Sequence, residues 1–248
     1  MTQTQHLALD GGSIAYDVAG DGPLVVLAHG MGDSRRSYRH LVPGLVAAGY
    51  RVANADLRGC GESSTGWDGY SRTDLAGDLV ALARHLTGPG ERAVVVGQSI
   101  SGGAATIAAA TAPDLVAGLV ELAPFTRKQS TDLGGLLRSK RYRARAACWR
   151  APCCWAACRP GCGTSSLAYP TKPADWAAER AHIEALMAEP ERMKVLQAMA
   201  KSSPADAGAR LPDVRCPVLV IEGSLDPDWA DPRAEGERVV AEPARGPG

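Results

Sequence analysis

Aromatic side chains are scarce in this sequence: they form 5% of its 248 residues, and phenylalanine occurs once. Its core must therefore be built from aliphatic side chains and alanine. Net charge is missing too, since 27 Lys and Arg balance 27 Asp and Glu. No global field exists to recruit nucleic acid or an anionic membrane surface. No apolar run approaches the roughly 20 residues of a membrane span. Residues 1–10 lack the basic and apolar regions of a secretory leader, so a cytoplasmic location is expected. Metal-ligand spacing is also absent. Cys60 and Cys216 are isolated, while Cys148, Cys153, Cys154, Cys158 and Cys162 crowd one stretch at irregular spacing with no histidine among them. Neither a metal site, a cofactor nor a disulfide framework is expected from that pattern. The partner expected is a small molecule. Oligomeric state is not legible.

What is present describes a globular protein, with 45% hydrophobic and 22% charged residues. Strand-like and helix-like segments alternate, which predicts an α/β fold with a mostly parallel sheet covered by helices. Leu7–Leu9 and Ser13–Val18 read as an opening hairpin around Asp10-Gly11-Gly12. Leu24–Leu27, Arg51–Asp56, Ala93–Val96, Ala117–Leu122 and Pro217–Ile221 read as buried strands. Helices are predicted around Tyr38–Ala48, Asp74–Leu86, Gly102–Thr111 and Arg233–Ala241.

Residues 1–123 and 212–248 are expected to form one core, with 124–211 inserted as a cap. Residues 141–164 contain no Leu, Ile, Val, Met, Asp or Glu. Such a stretch buries little aliphatic surface and is expected to be poorly ordered. Its residue types also fit a local reading-frame error, which resequencing of the gene tests. Five basic residues within Arg138–Arg145 read as a solvated stretch rather than a nucleic-acid patch, given the neutral whole. Trp149, Trp155 and Trp176 either line a pocket in the insertion or simply pack.

The decisive motif is Gly97-Gln98-Ser99-Ile100-Ser101-Gly102-Gly103, between an apolar strand and a helix of small residues. A serine on a sharp strand-to-helix turn is strained and projects its hydroxyl above the sheet. Strand and helix approach closely there, so the positions two before and two after must be small; Gly97 and Ser101 meet that demand. The plainer reading makes Ser99 a helix N-cap. A second motif, His29-Gly30-Met31-Gly32-Asp33, directly follows the strand Leu24–Leu27. Acyl transfer at a serine needs two backbone N–H donors for the developing oxyanion. Ile100 and Met31 are the candidates.

With the loop Asp56-Leu57-Arg58-Gly59-Cys60-Gly61-Glu62-Ser63, of the pattern D-x-R-G-x-G-x-S, these motifs resemble the α/β-hydrolase superfamily from Leu7 to about Val240. The resemblance implies a catalytic acid after the last core strand, which falls on Asp226; Asp228 and Asp231 nearby read as turn or helix-start carboxylates. It also implies an eighth strand, a terminal helix and a histidine-bearing loop after Asp226, none of which the sequence contains. The histidines are His6, His29, His40, His85 and His182, all before Asp226. The expectation is a truncated hydrolase of esters or related acyl compounds whose turnover is crippled. Loss of such a histidine lowers kcat by on the order of 10⁶. An inactive binding or vestigial protein is the alternative, and a cofactor-free haloperoxidase-like enzyme is a further one. Ser99 argues against epoxide hydrolases and haloalkane dehalogenases of this fold, which normally carry an aspartate nucleophile.

Overall fold

The computed structural model describes residues 3–128, 131–150 and 169–241. Strands β1 (Gln5–Leu9), β2 (Gly12–Ala19), β3 (Leu24–Ala28), β4 (Arg51–Ala55), β5 (Ala93–Gln98), β6 (Val116–Leu122) and β7 (Val218–Ile221) form one sheet. Their order is β1-β2-β4-β3-β5-β6-β7. The β1–β2 hairpin and the β2–β4 pair are antiparallel, and all pairings from β4 to β7 are parallel. Gly11 turns the hairpin at φ 92°, where a side chain would be strained.

Every residue of β3 is buried, which is why it reads as an unbroken apolar run. Alternate residues feed opposite faces of the sheet. Leu24, Val26 and Ala28 join a core with α2 (Arg72–Leu86) and α3 (Ile100–Thr111), whereas Val25 and Leu27 pack with Tyr38 and α1 (Val42–Ala47). The predicted helix over 38–48 is in fact split: a 3-10 turn covers Arg35–Tyr38 and α1 begins at Val42. Pro43 explains the break, because proline fits the first turn of a helix and not its interior. Helix α2 starts in a capping box, with the Ser71 hydroxyl accepting from the Asp74 N–H and the Asp74 carboxylate accepting from the Ser71 N–H.

Between β6 and β7 lie α4 (Leu133–Arg138), α5 (Lys140–Arg150), α6 (Trp176–Ala188), α7 (Pro190–Lys201) and α8 (Ala205–Arg210). Ion pairs tie α6 to the sheet side: Arg39 to Asp175 at 2.6 Å and to Glu179 at 3.3 Å, with Arg36 to Glu179 at 3.4 Å. From α7, Val195 and Met199 enter the main core. The stretch 141–150 is helical, while residues 151–164, and with them Cys153, Cys154, Trp155, Cys158 and Cys162, lie outside the described residues. Trp176 packs on Tyr169 with ring centroids 4.9 Å apart. Helix α9 (Pro232–Ala241) packs on β7, which pairs only with β6 among the described residues and leaves Leu219 and Ile221 half exposed. No helix among the described residues is long and apolar enough to cross a membrane.

Candidate active site

Ser99 stands between the end of β5 and the start of α3 with φ 55° and ψ −117°. Positive φ is rare for a residue with a Cβ, and holding it costs about 1–3 kcal/mol. The surrounding hydrogen bonds fix it: the Ser99 N–H donates to the Leu122 carbonyl at 3.0 Å, and the Phe125 N–H donates to the Ser99 carbonyl at 3.0 Å. The hydroxyl makes no cap bond to the helix, which sets aside the N-cap reading. Gly97 is glycine for a steric reason, since a Cβ there would lie 2.1 Å from the Ser101 carbonyl oxygen. A Cβ on Gly102 would lie 2.7 Å from Pro124.

The loop after β3 faces this turn. A Cβ placed on Gly30 would stand 3.4 Å from the Ser99 Cβ. His29 is fully buried: its Nδ1 donates to the Gly30 carbonyl at 2.7 Å, and its Nε2 accepts from the Leu57 N–H at 3.1 Å. Both ring nitrogens are thus used in shaping the loop. The Ser101 hydroxyl, also fully buried, donates to the His29 carbonyl at 2.6 Å. Among the described residues, neither the Met31 nor the Ile100 N–H donates to a backbone or side-chain acceptor. For Ile100 this follows from its place in the first helical turn, where N–H groups have no intrahelical partner. Met31, Ser99 and Ile100 together line a cavity of about 310 Å³, closed further by Arg72, Phe125, Lys128, Arg145, Met199 and Asp228.

The loop 56–63 supports the site from below. Both Asp56 carboxylate oxygens are taken, by the N–H groups of Arg35 at 2.7 Å and Glu62 at 2.9 Å and by the Arg35 guanidinium. A Cβ on Gly61 would fall 2.1 Å from that carboxyl carbon. Arg58 grips Asp78 with two hydrogen bonds of 2.7 Å.

Asp226 is not among the residues lining the Ser99 cavity. One of its oxygens accepts from the Asp228 N–H at 2.8 Å, and burial pushes its carboxyl up to about 6. Asp228, read in sequence as a turn carboxylate, is the one that reaches the cavity, where it pairs with Arg145. The remaining histidines are placed elsewhere. His6 lies on β1, His40 is 3.3 Å from Asp175, His85 meets the edge of Tyr16, and His182 contacts the Ser34 hydroxyl at 3.1 Å. Among the described residues, no histidine hydrogen-bonds Ser99 or Asp226.

Behind the turn, Glu121 is fully buried and receives the hydroxyls of Thr106 and Thr126. Burial pushes it up to about 7. Sequence reading missed Glu121, Arg72 and Lys128. Only Arg72 left a trace, as a cation in the first turn of α2, where the helix dipole opposes positive charge. Among the described residues, no group of three or more His, Cys, Asp or Glu is placed to hold a metal ion.

Comparison with known proteins agrees with this fold. Residues 23–145 match the family model described as alpha/beta hydrolase fold, and the chain belongs to the α/β-hydrolase superfamily. Epoxide hydrolase B of Mycobacterium tuberculosis is 39% identical over 117 residues, which span 46% of this chain and 32% of that enzyme. The chain thus matches about a third of the length of that relative. A bromoperoxidase from Bacillus anthracis superposes with a TM-score of 0.72 at 22% identity, covering 97% of this chain and 89% of that one. An N-acyl homoserine lactone degrading enzyme gives 0.68 at 22% identity, covering 98% and 89%. At such identities the structural likeness speaks for the fold alone.

Proposed function

We propose that this chain is a serine-type hydrolase of esters or related acyl compounds. Ser99 is the nucleophile, the N–H groups of Met31 and Ile100 receive the oxyanion, and Asp226, which lies on the loop after β7 outside the cavity lining, is the residue that the family resemblance makes the acid. The segment 124–211 acts as a cap over the core formed by 1–123 and 212–248. The observation that carries the reading is the strained backbone of Ser99, held facing the Gly30 loop. Such strain persists in a folded protein only where the surroundings enforce it, and it concentrates at functional sites.

In the step envisaged, the Ser99 Oγ bonds to the substrate carbonyl carbon and gives its proton to a base. The carbonyl π electrons move onto oxygen, between the two N–H groups. Collapse of that intermediate expels the alcohol, which takes up the proton, and water then releases the acid by the same route. Among the described residues no imidazole hydrogen-bonds the hydroxyl, so turnover without a further base is expected at the level of oxyanion stabilisation and binding, about 10³–10⁴ over water. The same observation favours a second reading, an inactive hydrolase-fold protein that binds its ligand without turning it over. Relatives named for epoxide opening do not alter the nucleophile proposed, because epoxide hydrolases of this fold normally carry an aspartate where Ser99 stands.

A fluorophosphonate probe separates the readings. Slow labelling located at Ser99 and abolished by Ser99→Ala supports the hydrolase; folded protein that stays unlabelled supports the binding protein.

A further inference from the structure

Arg72 is an anomaly in the wall of the Ser99 cavity. It is 5% exposed, yet no carboxylate lies within ion-pair distance of it among the described residues. Its hydrogen bonds come from Nε, to the Phe125 carbonyl at 2.9 Å, and from Nη1, to the Ser202 carbonyl at 3.3 Å and hydroxyl at 3.1 Å. Nη2 donates to nothing among the described residues, and Arg72 lines the cavity. Burial depresses this guanidinium to about 10, opposed by a longer-range pull from Asp206. Its place in the first turn of α2 adds the repulsion of the helix dipole. A buried cation normally has a carboxylate partner, because desolvation without one is expensive.

A second cation shares the wall. Lys128 is exposed at the rim and pairs with no carboxylate among the described residues. Arg145 lines the wall too, but Asp228, the one carboxylate there, is paired with it. The cavity therefore carries two positive charges that no lining carboxylate offsets. A guanidinium with free N–H groups, backed by an ammonium, suits the oxygens of a carboxylate or phosphate.

We propose that this cavity takes a substrate whose acyl or alcohol part bears an ionised oxyanion group, held by Arg72 and Lys128 while the ester carbonyl lies at Ser99. The proposal rests on the hydrolase reading for the ester alone; the anion subsite is separable from it.

Calorimetric titration of the full chain tests this without turnover. The probes are 5-oxohexanoate, an anion with a ketone in place of the ester, and its neutral counterpart 5-oxohexanamide. The anion is expected to bind about tenfold tighter, the scale of a charge-assisted hydrogen bond. Lys128→Ala and Arg72→Gln each reduce that preference. Should Arg72→Gln fail to fold, Lys128→Ala, at an exposed position, carries the test. Ser99→Ala keeps the preference while abolishing any probe labelling, so failure of the nucleophile and failure of the subsite are told apart. Displacement of the anion by inorganic phosphate assigns the subsite to phosphate esters, and resistance to it assigns carboxylates. Equal affinity for the two probes, binding of neither, or a preference unmoved by both variants overturns the proposal and leaves Arg72 as a structural pin.

Discussion

The Ser101 hydroxyl donates to the His29 carbonyl at 2.6 Å, so the turn carrying Ser99 is tied directly to the loop carrying Met31. The two segments are 72 residues apart in sequence. Their relative position decides whether the N–H groups of Met31 and Ile100 can converge on one oxygen. Glycine at position 101 would leave that link unmade. Serine satisfies the need for a small residue and adds a buried hydrogen bond.

Ser101→Ala keeps the volume and removes only the bond. A lost buried hydrogen bond of this kind is worth about 1 kcal/mol, so chemical denaturation should show a small loss of stability with an unchanged m-value. Fluorophosphonate labelling of Ser99 should slow more than stability alone explains. Labelling at the unaltered rate would show that the bond does not position the loop.

Gly97→Ala should be far more damaging. The added methyl would meet backbone atoms of Ser101 and Gly102 at 2.1–2.7 Å, and backbone cannot step aside as a side chain tip can. Circular dichroism and thermal melting are expected to show a protein that fails to fold or melts many degrees lower. A stable Gly97→Ala protein that still labels at Ser99 would contradict the tight crossing of β5 and α3.

His29→Ala separates a structural from a catalytic histidine. His29 spends both ring nitrogens on the Gly30 carbonyl and the Leu57 N–H, leaving none for Ser99. The variant should lose about 1–3 kcal/mol through the unsatisfied Leu57 donor and the emptied space. In the folded fraction, the pH profile of Ser99 labelling should keep its shape. A profile that loses an inflection would assign His29 a proton-transfer role.

Stability should fall as pH rises from about 4.5 to 8. Burial raises Glu121 to about 7 and Glu222 to about 8, each from 4.5, and Asp226 from 3.8 to about 6. For Glu222 the neighbouring carboxylates Asp226 and Glu235 add to the effect. A raised carboxyl holds its proton longer in the folded state, so between the unfolded and folded values the native protein binds more protons and stability declines. Glu121→Gln, which removes one of these groups, should give a flatter melting profile across that range. Identical pH slopes for variant and parent would remove Glu121 from the account.

The parallel core was legible because strands buried on both faces, such as β3, carry apolar residues at every position. The Ser99 turn was legible because close approach of strand and helix admits only small residues. Other features depend on through-space placement that periodicity does not encode. Pro43 split a helix that the apolar spacing over 38–48 suggested was continuous. Asp226 and Asp228 are two residues apart on one loop, and only the fold decides which faces the cavity. Arg72 looks like one more surface cation until α3, Phe125 and Ser202 close around it.

A crystal structure of the protein reacted with a fluorophosphonate tests the central claim most directly. The account predicts phosphorus bonded to the Ser99 Oγ, with the phosphoryl oxygen about 2.7–3.1 Å from both the Met31 and Ile100 nitrogens. An unmodified Ser99 in a soaked, folded crystal, or an adduct whose oxygen points away from those two N–H groups, would contradict it.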